Sequence, residues 1–340
     1  MTEMNERHTP VLSQDVIRYL AVREGGTYLD CTLGYAGHAS QIVRLLGPDG
    51  HLIGFDRDPE ALELARNRLT SLAEELGERM PKVTLIGEAF SKAAEHVAPD
   101  TLDGLLADFG ISSMQIDQAE RGFSFQADGP LDMRQDTRQS LTAAQVVNEM
   151  DERELANLLY EYGEERRSWR IARAIVRARP VTTTGQLARI VSGSVPIMKE
   201  DRNRRIHPAT QTFQALRIYV NRELDEIRQL LEVAPKLLKP GGRLVVISFH
   251  SLEDRIAKDV LRDEAARGVW NLLTRKPAVA EEEETNRNPR ARSAKLRAAE
   301  KLNATDAPGM TQKVLAPEFE RRLTGFGELR AKQGVKPGRK

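Results

Sequence analysis

The chain has 340 residues, 40% of them hydrophobic and 30% charged, with a formal net charge of +1; this allows about two domains with a real core and excludes nucleic-acid binding driven by bulk charge alone. Cys31 is the single cysteine, which excludes an intrachain disulfide and a multi-cysteine zinc site and fits a reducing cytoplasm, while the histidines, His8, His38, His51, His96, His207 and His250, pair at no metal-ligand spacing, so no metal is expected. The opening MTEMNERHTP is polar and no apolar run approaches the roughly 20 residues that span a bilayer, so neither a secretory leader nor a membrane partner is expected.

From residue 26 to residue 108 strand-like and helix-like segments alternate. A short strand over 27–30 runs into a glycine loop, and 38–46 reads as a helix stopped by Gly47-Pro48-Asp49-Gly50. A strand follows over 51–56, then a helix with Asp58 as its cap and Pro59 in its first turn. Residues 83–86 and 102–107 read as two more strands. This alternation predicts a parallel sheet covered on both faces, a doubly wound α/β fold.

The rhythm breaks after Asp108, and 117–207 is mostly helical in pattern, with Asp151 and Glu154 at a capping-box-like start. Phe213, Leu216, Val220, Leu224, Ile227 and Leu231 then recur at steps of three and four, which predicts one face of a single long helix. After Lys239-Pro240-Gly241-Gly242 an apolar strand runs over 244–249, Ser251 is expected to cap a further helix with Asp254 three residues on, and 295–299 forms a last strand. The expected organisation is one discontinuous domain, 8–116 and 208–303, interrupted by a helical insert at 117–207. The tail, 304–340, has eight basic and four acidic residues with several Gly and Pro, and reads as loosely ordered.

Asp30-Cys31-Thr32-Leu33-Gly34-Tyr35-Ala36-Gly37-His38 follows a strand and opens a helix. Small residues there let a ligand approach the backbone, and helix-terminal N–H groups are free to bind an anion, whether a pyrophosphate or a carboxylate. Asp30 can answer an ammonium group. Asp56, ending the second strand, can accept both hydroxyls of an adenosine ribose. Phe90 can lie on an adenine face or simply pack in the core, and Asp108 ends the fourth strand beside the same crevice.

Further stretches extend the pattern: His8-Thr9-Pro10-Val11-Leu12, Phe55-Asp56-Arg57-Asp58-Pro59, Arg121-Gly122-Phe123-Ser124-Phe125, Asp128-Gly129-Pro130-Leu131-Asp132-Met133-Arg134, Tyr162-Gly163-Glu164-Glu165-Arg166, His207-Pro208-Ala209-Thr210, Ser248-Phe249-His250-Ser251-Leu252-Glu253-Asp254-Arg255 and Asn288-Pro289-Arg290-Ala291-Arg292-Ser293. Together with the loop from Gly34 to His38, and in this order from about residue 8 to residue 302, they resemble the ribosomal RNA small-subunit methyltransferase H family, also called MraW. The resemblance implies a Rossmann-like methyltransferase sheet with an inserted helical domain. It also implies S-adenosylmethionine as cofactor, and as substrate the 4-amino group of a cytidine in the decoding region of 16S small-subunit ribosomal RNA. By the same resemblance Ala36, Gly37, His38, Asp56, Phe90, Asp108 and Gln115 contact the cofactor. The sequence departs from the family at Ala36, where Gly is usual, and at Gln211, where Arg is usual; a positive φ at residue 36 would strain the alanine.

Methylation of an amine needs no covalent step, whereas carbon-5 chemistry needs a cysteine nucleophile, and Cys31 sits in the cofactor loop. Asp108 is the first candidate to accept the amine's hydrogen, or it serves the cofactor alone; the run Asp108-Phe109-Gly110-Ile111 lacks the two prolines common at this position in amine methyltransferases. His250 is the second catalytic candidate, or a hydrogen-bonded structural histidine. On the substrate side, 117–165 has four basic and twelve acidic residues and 166–207 eleven basic and two acidic. Arg166, Arg170, Arg173 and Arg177 share one helical stripe that can follow a phosphate backbone or stand solvated, with Trp169, Ala172 and Val176 turned elsewhere to pack inward. Lys199, Arg202, Arg204 and Arg205 form a second basic loop. Phe123 and Phe125 can stack a flipped base or belong to a core. The competing readings are a methyltransferase of another RNA, a protein or a small molecule, a nicotinamide dehydrogenase, disfavoured by the missing second mononucleotide half, and a non-catalytic ribosome-assembly factor. The choice between monomer and homodimer is open.

Overall fold

The structure, a computed structural model, describes residues 10–195 and 207–303. His8, Thr9, the loop of Lys199, Arg202, Arg204 and Arg205, and the tail from 304 lie outside the described residues.

Seven strands, β1 (Thr27–Asp30), β2 (His51–Phe55), β3 (Lys82–Ile86), β4 (Leu102–Asp108), β5 (Leu238–Ser248), β6 (Trp270–Leu272) and β7 (Lys295–Lys301), form one sheet in the order β3-β2-β1-β4-β5-β7-β6. β1 to β5 are parallel, and β7 runs antiparallel to both β5 and β6. Successive strand residues face opposite sides, and both sides are buried. Leu29, Phe55, Leu105 and Val246 enter one core; Tyr28, Leu52, Leu106 and Val245 enter the other. This is the doubly wound, Rossmann-like sheet expected. Helices α1 (Ser13–Leu20), α2 (Gly37–Leu46) and α3 (Pro59–Leu76) cover the second face, bringing Val16, Ile42 and Leu69. As expected, the Asp58 side chain caps α3 by accepting from the Glu60 N–H, with Pro59 in the first turn. The short α4 (Ala93–His96) packs on the first face.

Between β4 and β5 the chain builds α5 (Ser113–Asp117), α6 (Ala143–Glu149), α7 (Glu152–Gly163), α8 (Ser168–Ala178), α9 (Thr184–Ser194), α10 (Thr210–Asn221) and α11 (Glu223–Leu237). α6 to α10 close around a separate apolar cluster that includes Leu155, Leu159, Ile171, Ile175, Leu187, Phe213 and Leu216. Phe123 is buried in that cluster, and the Phe125 ring lies 4.5 Å from His207 and 4.9 Å from Phe213, so both phenylalanines serve packing. Gly122 shows why the Arg121–Phe125 run needs its glycine: φ is +70°, and a Cβ would stand 2.2 Å from the Pro130 carbonyl oxygen.

Four expectations are corrected. The long helix is two, because Arg222 turns left-handed at φ 53°; Phe213, Leu216 and Val220 then fill the insert's core, while Leu224, Ile227 and Leu231 turn to the sheet. The strand expected from Leu244 begins at Leu238, since pairing with β4 resumes across an irregularity in register. Trp169, expected inward, is 51% exposed, and Ile171, Ala172 and Ile175 form the buried face of α8. The cap of α12 (Ser251–Ala266) is His250, one residue earlier than expected, in a capping box with Glu253. β6 and α13 (Glu282–Arg287) carry too few residues to show a periodicity. Among the described residues no helix is long and apolar enough to cross a membrane.

Candidate active site

The strand order reverses between β1 and β4, so the loops leaving their carboxyl ends part and open a crevice. A cavity of about 1320 Å³ occupies it. Gly37, His38, Asp56, Phe90, Asp108 and Gln115, drawn from 79 positions of sequence, all line it; Ala36 and His250 do not.

The glycine loop is held from two sides. The Leu33 N–H donates to the Phe55 carbonyl (2.8 Å), and the Gly34 N–H donates to Asp56 Oδ2 (2.8 Å). Gly37 starts α2 against the N-terminal segment, where a Cβ would meet Pro10 Cγ at 2.9 Å. Ala36, fully buried, caps α2 in the left-handed region at φ 57°, so the strain foreseen at this departure is present. Ala36→Gly should therefore raise the unfolding free energy by about 1 kcal/mol, the left-handed penalty outweighing one lost methyl; chemical denaturation measures it.

Asp56 Oδ1 accepts the Asp58 N–H (2.9 Å), so each carboxylate oxygen carries one backbone donor and keeps a lone pair for a ligand hydroxyl. Burial pushes its carboxyl up to about 6, against the pull of those two N–H donors. Phe90 lies beside Phe109 with ring centroids 6.2 Å apart. His38 is buried, with neither ring nitrogen hydrogen-bonded, and its Nε2 stands 3.7 Å from Asp108 Oδ2. The Asp108 N–H donates to Thr32 Oγ1 (2.7 Å), which fixes the strand end, while Asp108 Oδ1 is buried without a protein partner. Buried polar atoms are almost always paired, so orphaned acceptors and donors at a cavity wall mark where a polar ligand belongs.

Asp30 does not line the cavity. It is 1% exposed, its Oδ1 accepts the Thr32 N–H (3.1 Å), and burial raises its carboxyl to about 6, opposed by nearby His38. It shapes the loop from behind. A carboxyl raised on folding favours the fold when protonated: the contribution is full below pH about 4 and is lost as pH rises through about 6. Asp30→Asn, which keeps the Oδ1 acceptor, should thus gain stability relative to the parent between pH 4 and pH 7. About two pH units correspond to a gain of up to about 3 kcal/mol; urea titrations at both pH values test the sign.

Gln115 lines the cavity with its amide already committed. Its Nε2 donates to Asp58 Oδ2 (2.7 Å) and its Oε1 accepts the Ser112 N–H (3.0 Å). Arg121 pairs with the same Asp58 oxygen at 2.8 Å, reaches Glu60 at 3.3 Å, and donates to the Arg134 and Gln135 carbonyls. At the far wall, beyond β5, Arg217, Glu223 and Glu253 line the cavity. Arg217 grips Glu223 through Nε and Nη2 at 2.9 Å each. His250 sits behind Glu253, its Nε2 3.1 Å from Glu253 Oε1. Sequence reasoning overlooked Arg217, Glu223 and Glu253; the one available signal was Glu253 three residues after the cap. The Asn288–Ser293 run borders the opposite rim, where Arg290 pairs with Asp117 (2.8 Å) and the Leu12 N–H donates to Glu284 (2.6 Å).

Comparison with known proteins agrees with this geometry. The sequence profile of the MraW methylase family matches residues 5–302. The ribosomal RNA small subunit methyltransferase H of Acidobacterium capsulatum is 70% identical over 296 residues, covering 87% of this chain and 99% of that protein. Proteins of the same name from Koribacter versatilis (59% over 292 residues; 86% and 93% covered) and Geobacter sulfurreducens (50% over 317; 88% and 100%) are similar as well. A family profile spanning nearly all the described chain, over a sheet whose reversal point gathers the expected ligand contacts, leads to one conclusion: the chain belongs to the MraW methylase family and takes its methyl group from S-adenosylmethionine.

Proposed function

We propose that this protein methylates small-subunit ribosomal RNA, and that the acceptor is the exocyclic 4-amino group of a cytidine in the decoding region of 16S RNA. The ribosomal substrate follows the names of its relatives. The amine acceptor rests on one observation above all: Asp108 lines the cavity, and among the described residues its buried Oδ1 has no partner. The competing carbon-5 chemistry lacks its nucleophile, because Cys31 is buried and burial holds its thiol well above the ordinary value.

The residues fit S-adenosylmethionine. Asp56 retains acceptor capacity for the ribose hydroxyls, Phe90 offers an apolar face to adenine, and the free N–H groups at the start of α2, from Gly37 and His38, suit the carboxylate. When bound, the cofactor supplies an electrophilic sulfonium methyl. The protein's part is to orient the amine and exclude water, worth several kcal/mol of barrier. Asp108 accepts a hydrogen bond from the amine, raises its nucleophilicity and takes the proton at Oδ1 as the N–C bond forms. His250 acts only through Glu253, and Gln115 only through Asp58.

The helical insert, 117–207, serves as the RNA side. Arg166, Arg170 and Arg177 are exposed on or beside α8, whereas Arg173 is tied to Glu152 at 3.1 Å, so among the described residues three of the four arginines are open to phosphates. To test the assignment, small subunits from cells lacking the enzyme are incubated with labelled S-adenosylmethionine and the purified protein, then digested to nucleosides. N4-methylcytidine is the expected product. Label in 5-methylcytidine, in another RNA or only in protein overturns the reading.

A further inference from the structure

We infer that Glu253 and Arg217 read the Watson–Crick edge of the target base, Glu253 accepting from the amine of cytosine and Arg217 donating to its N3 and O2, so that uracil is excluded. The inference rests on the cytidine reading above and adds how that base is chosen.

Glu253 is fully buried. Its Oε2 accepts the N–H groups of Phe249 (2.8 Å) and His250 (3.3 Å), while Oε1 has His250 Nε2 beside it at 3.1 Å and keeps a lone pair. Glu253 lines the cavity, and its Oε1 lies beside Gly110, two residues beyond Asp108: a Cβ added to Gly110 would lie 3.9 Å from it. Two carboxylates, Asp108 and Glu253, therefore meet the cavity near one another, each with an acceptor left over. An exocyclic amine has two N–H groups. One must be lost on transfer, to Asp108; the other needs an acceptor that keeps it, and Glu253 provides one.

Arg217 supplies the complementary donor. Its Nε and Nη2 are spent on Glu223, while Nη1 makes no hydrogen bond among the described residues, and the guanidinium lines the same wall. Cytosine presents a donor at the 4-position beside acceptors at N3 and O2, and acidic side chains accept from its amine. Uracil presents an acceptor at the 4-position and a donor at N3, so it would face carboxylate with carbonyl and guanidinium with N–H. Sites that leave buried polar groups unpaired reject the wrong ligand strongly.

Glu223, His250 and Glu253 also bring ligand-type atoms within 4.8 Å of one another, the spacing of a cation site. Both oxygens of Glu223 hold the Arg217 guanidinium, whose charge opposes a divalent cation. The base-reading role is the one the donors and acceptors favour.

The test uses the full chain saturated with S-adenosylhomocysteine and calorimetric titration with cytidine and uridine 5′-monophosphates. The parent should prefer the cytidine nucleotide by about tenfold or more. In Glu253→Gln the amide oxygen must take the Oε2 position to keep the two backbone donors, which turns the NH2 toward the cavity. That variant should lose or reverse the preference and slow methyl transfer by about 100-fold or more, with S-adenosylhomocysteine affinity within about twofold of the parent. Equal binding of both nucleotides by the parent, which needs no variant, overturns the inference. So does a Glu253→Gln protein that keeps preference and rate, or parent activity lost to a chelator and restored by zinc or magnesium. Nucleoside analysis of methylated small subunits separately tests the cytidine reading, so the two can fail independently.

Discussion

Asp108→Asn should lower the single-turnover rate of methyl transfer by about 10²- to 10⁴-fold, the range spanned by general acid–base groups. The substitution is nearly isosteric and keeps the Asp108 N–H to Thr32 Oγ1 bond, so the strand end stays in place. What it removes is the negative acceptor whose Oδ1 is buried without a partner. His38 Nε2 stands 3.7 Å from Oδ2, and the Asp108 side chain keeps 25% of its surface exposed, so the carboxylate retains acceptor capacity for the amine. Affinity for S-adenosylmethionine, measured by calorimetry, should stay within about fivefold, because a neutral amide still accepts and donates hydrogen bonds. A variant with parent-like rate and much weakened cofactor binding would assign Asp108 to the cofactor alone.

The second large effect concerns folding. Arg121→Met should lower the unfolding free energy by about 3–5 kcal/mol, the cost of breaking a buried ion pair from one side. Asp58 is 1% exposed and shares its Oδ2 between Arg121 (2.8 Å) and Gln115 Nε2 (2.7 Å). Without the guanidinium a buried carboxylate is left with two neutral donors, Gln115 Nε2 and the Glu60 N–H, and no countercharge, and the Arg134 and Gln135 carbonyls lose their donor. The double variant Arg121→Met, Asp58→Asn should recover about 1–3 kcal/mol of the loss, since it removes the stranded charge. Denaturant midpoints across the four proteins give the coupling directly. A single variant within about 1 kcal/mol of the parent would show that solvent reaches Asp58 readily. Because this network joins the start of α3 to α5, the loss should extend to cofactor affinity through Asp56, two residues away.

The sequence was readable where one periodicity ran long enough and where a residue's local partner was its sequence neighbour. Strands β1 to β4 and the Asp58-Pro59 helix start are of this kind, and so is the gathering of Gly37, His38, Asp56, Phe90 and Asp108 at strand ends. The helix expected from Phe213 to Leu231 shows the limit. Its apolar steps of three and four continue across Arg222, yet the backbone turns left-handed there because the two halves serve different cores. Trp169 shows another: helical spacing tells which residues share a face, and only packing against α7 and α9 decides which face is buried.

By itself, then, the sequence determined the alternating α/β order, the glycine loop after β1, the acidic strand ends and the lone cysteine in that loop. Those features depend on local propensity and short-range spacing, which survive in one dimension. Tertiary structure alone decided that His250 caps a helix instead of reaching the cavity, that Gln115 spends its amide on Asp58, and that Arg217 and Glu253 share a wall with Asp108. The last two join groups that lie 36 to 145 positions apart in the chain, and whether a polar atom is satisfied or left over depends on all its neighbours in space at once.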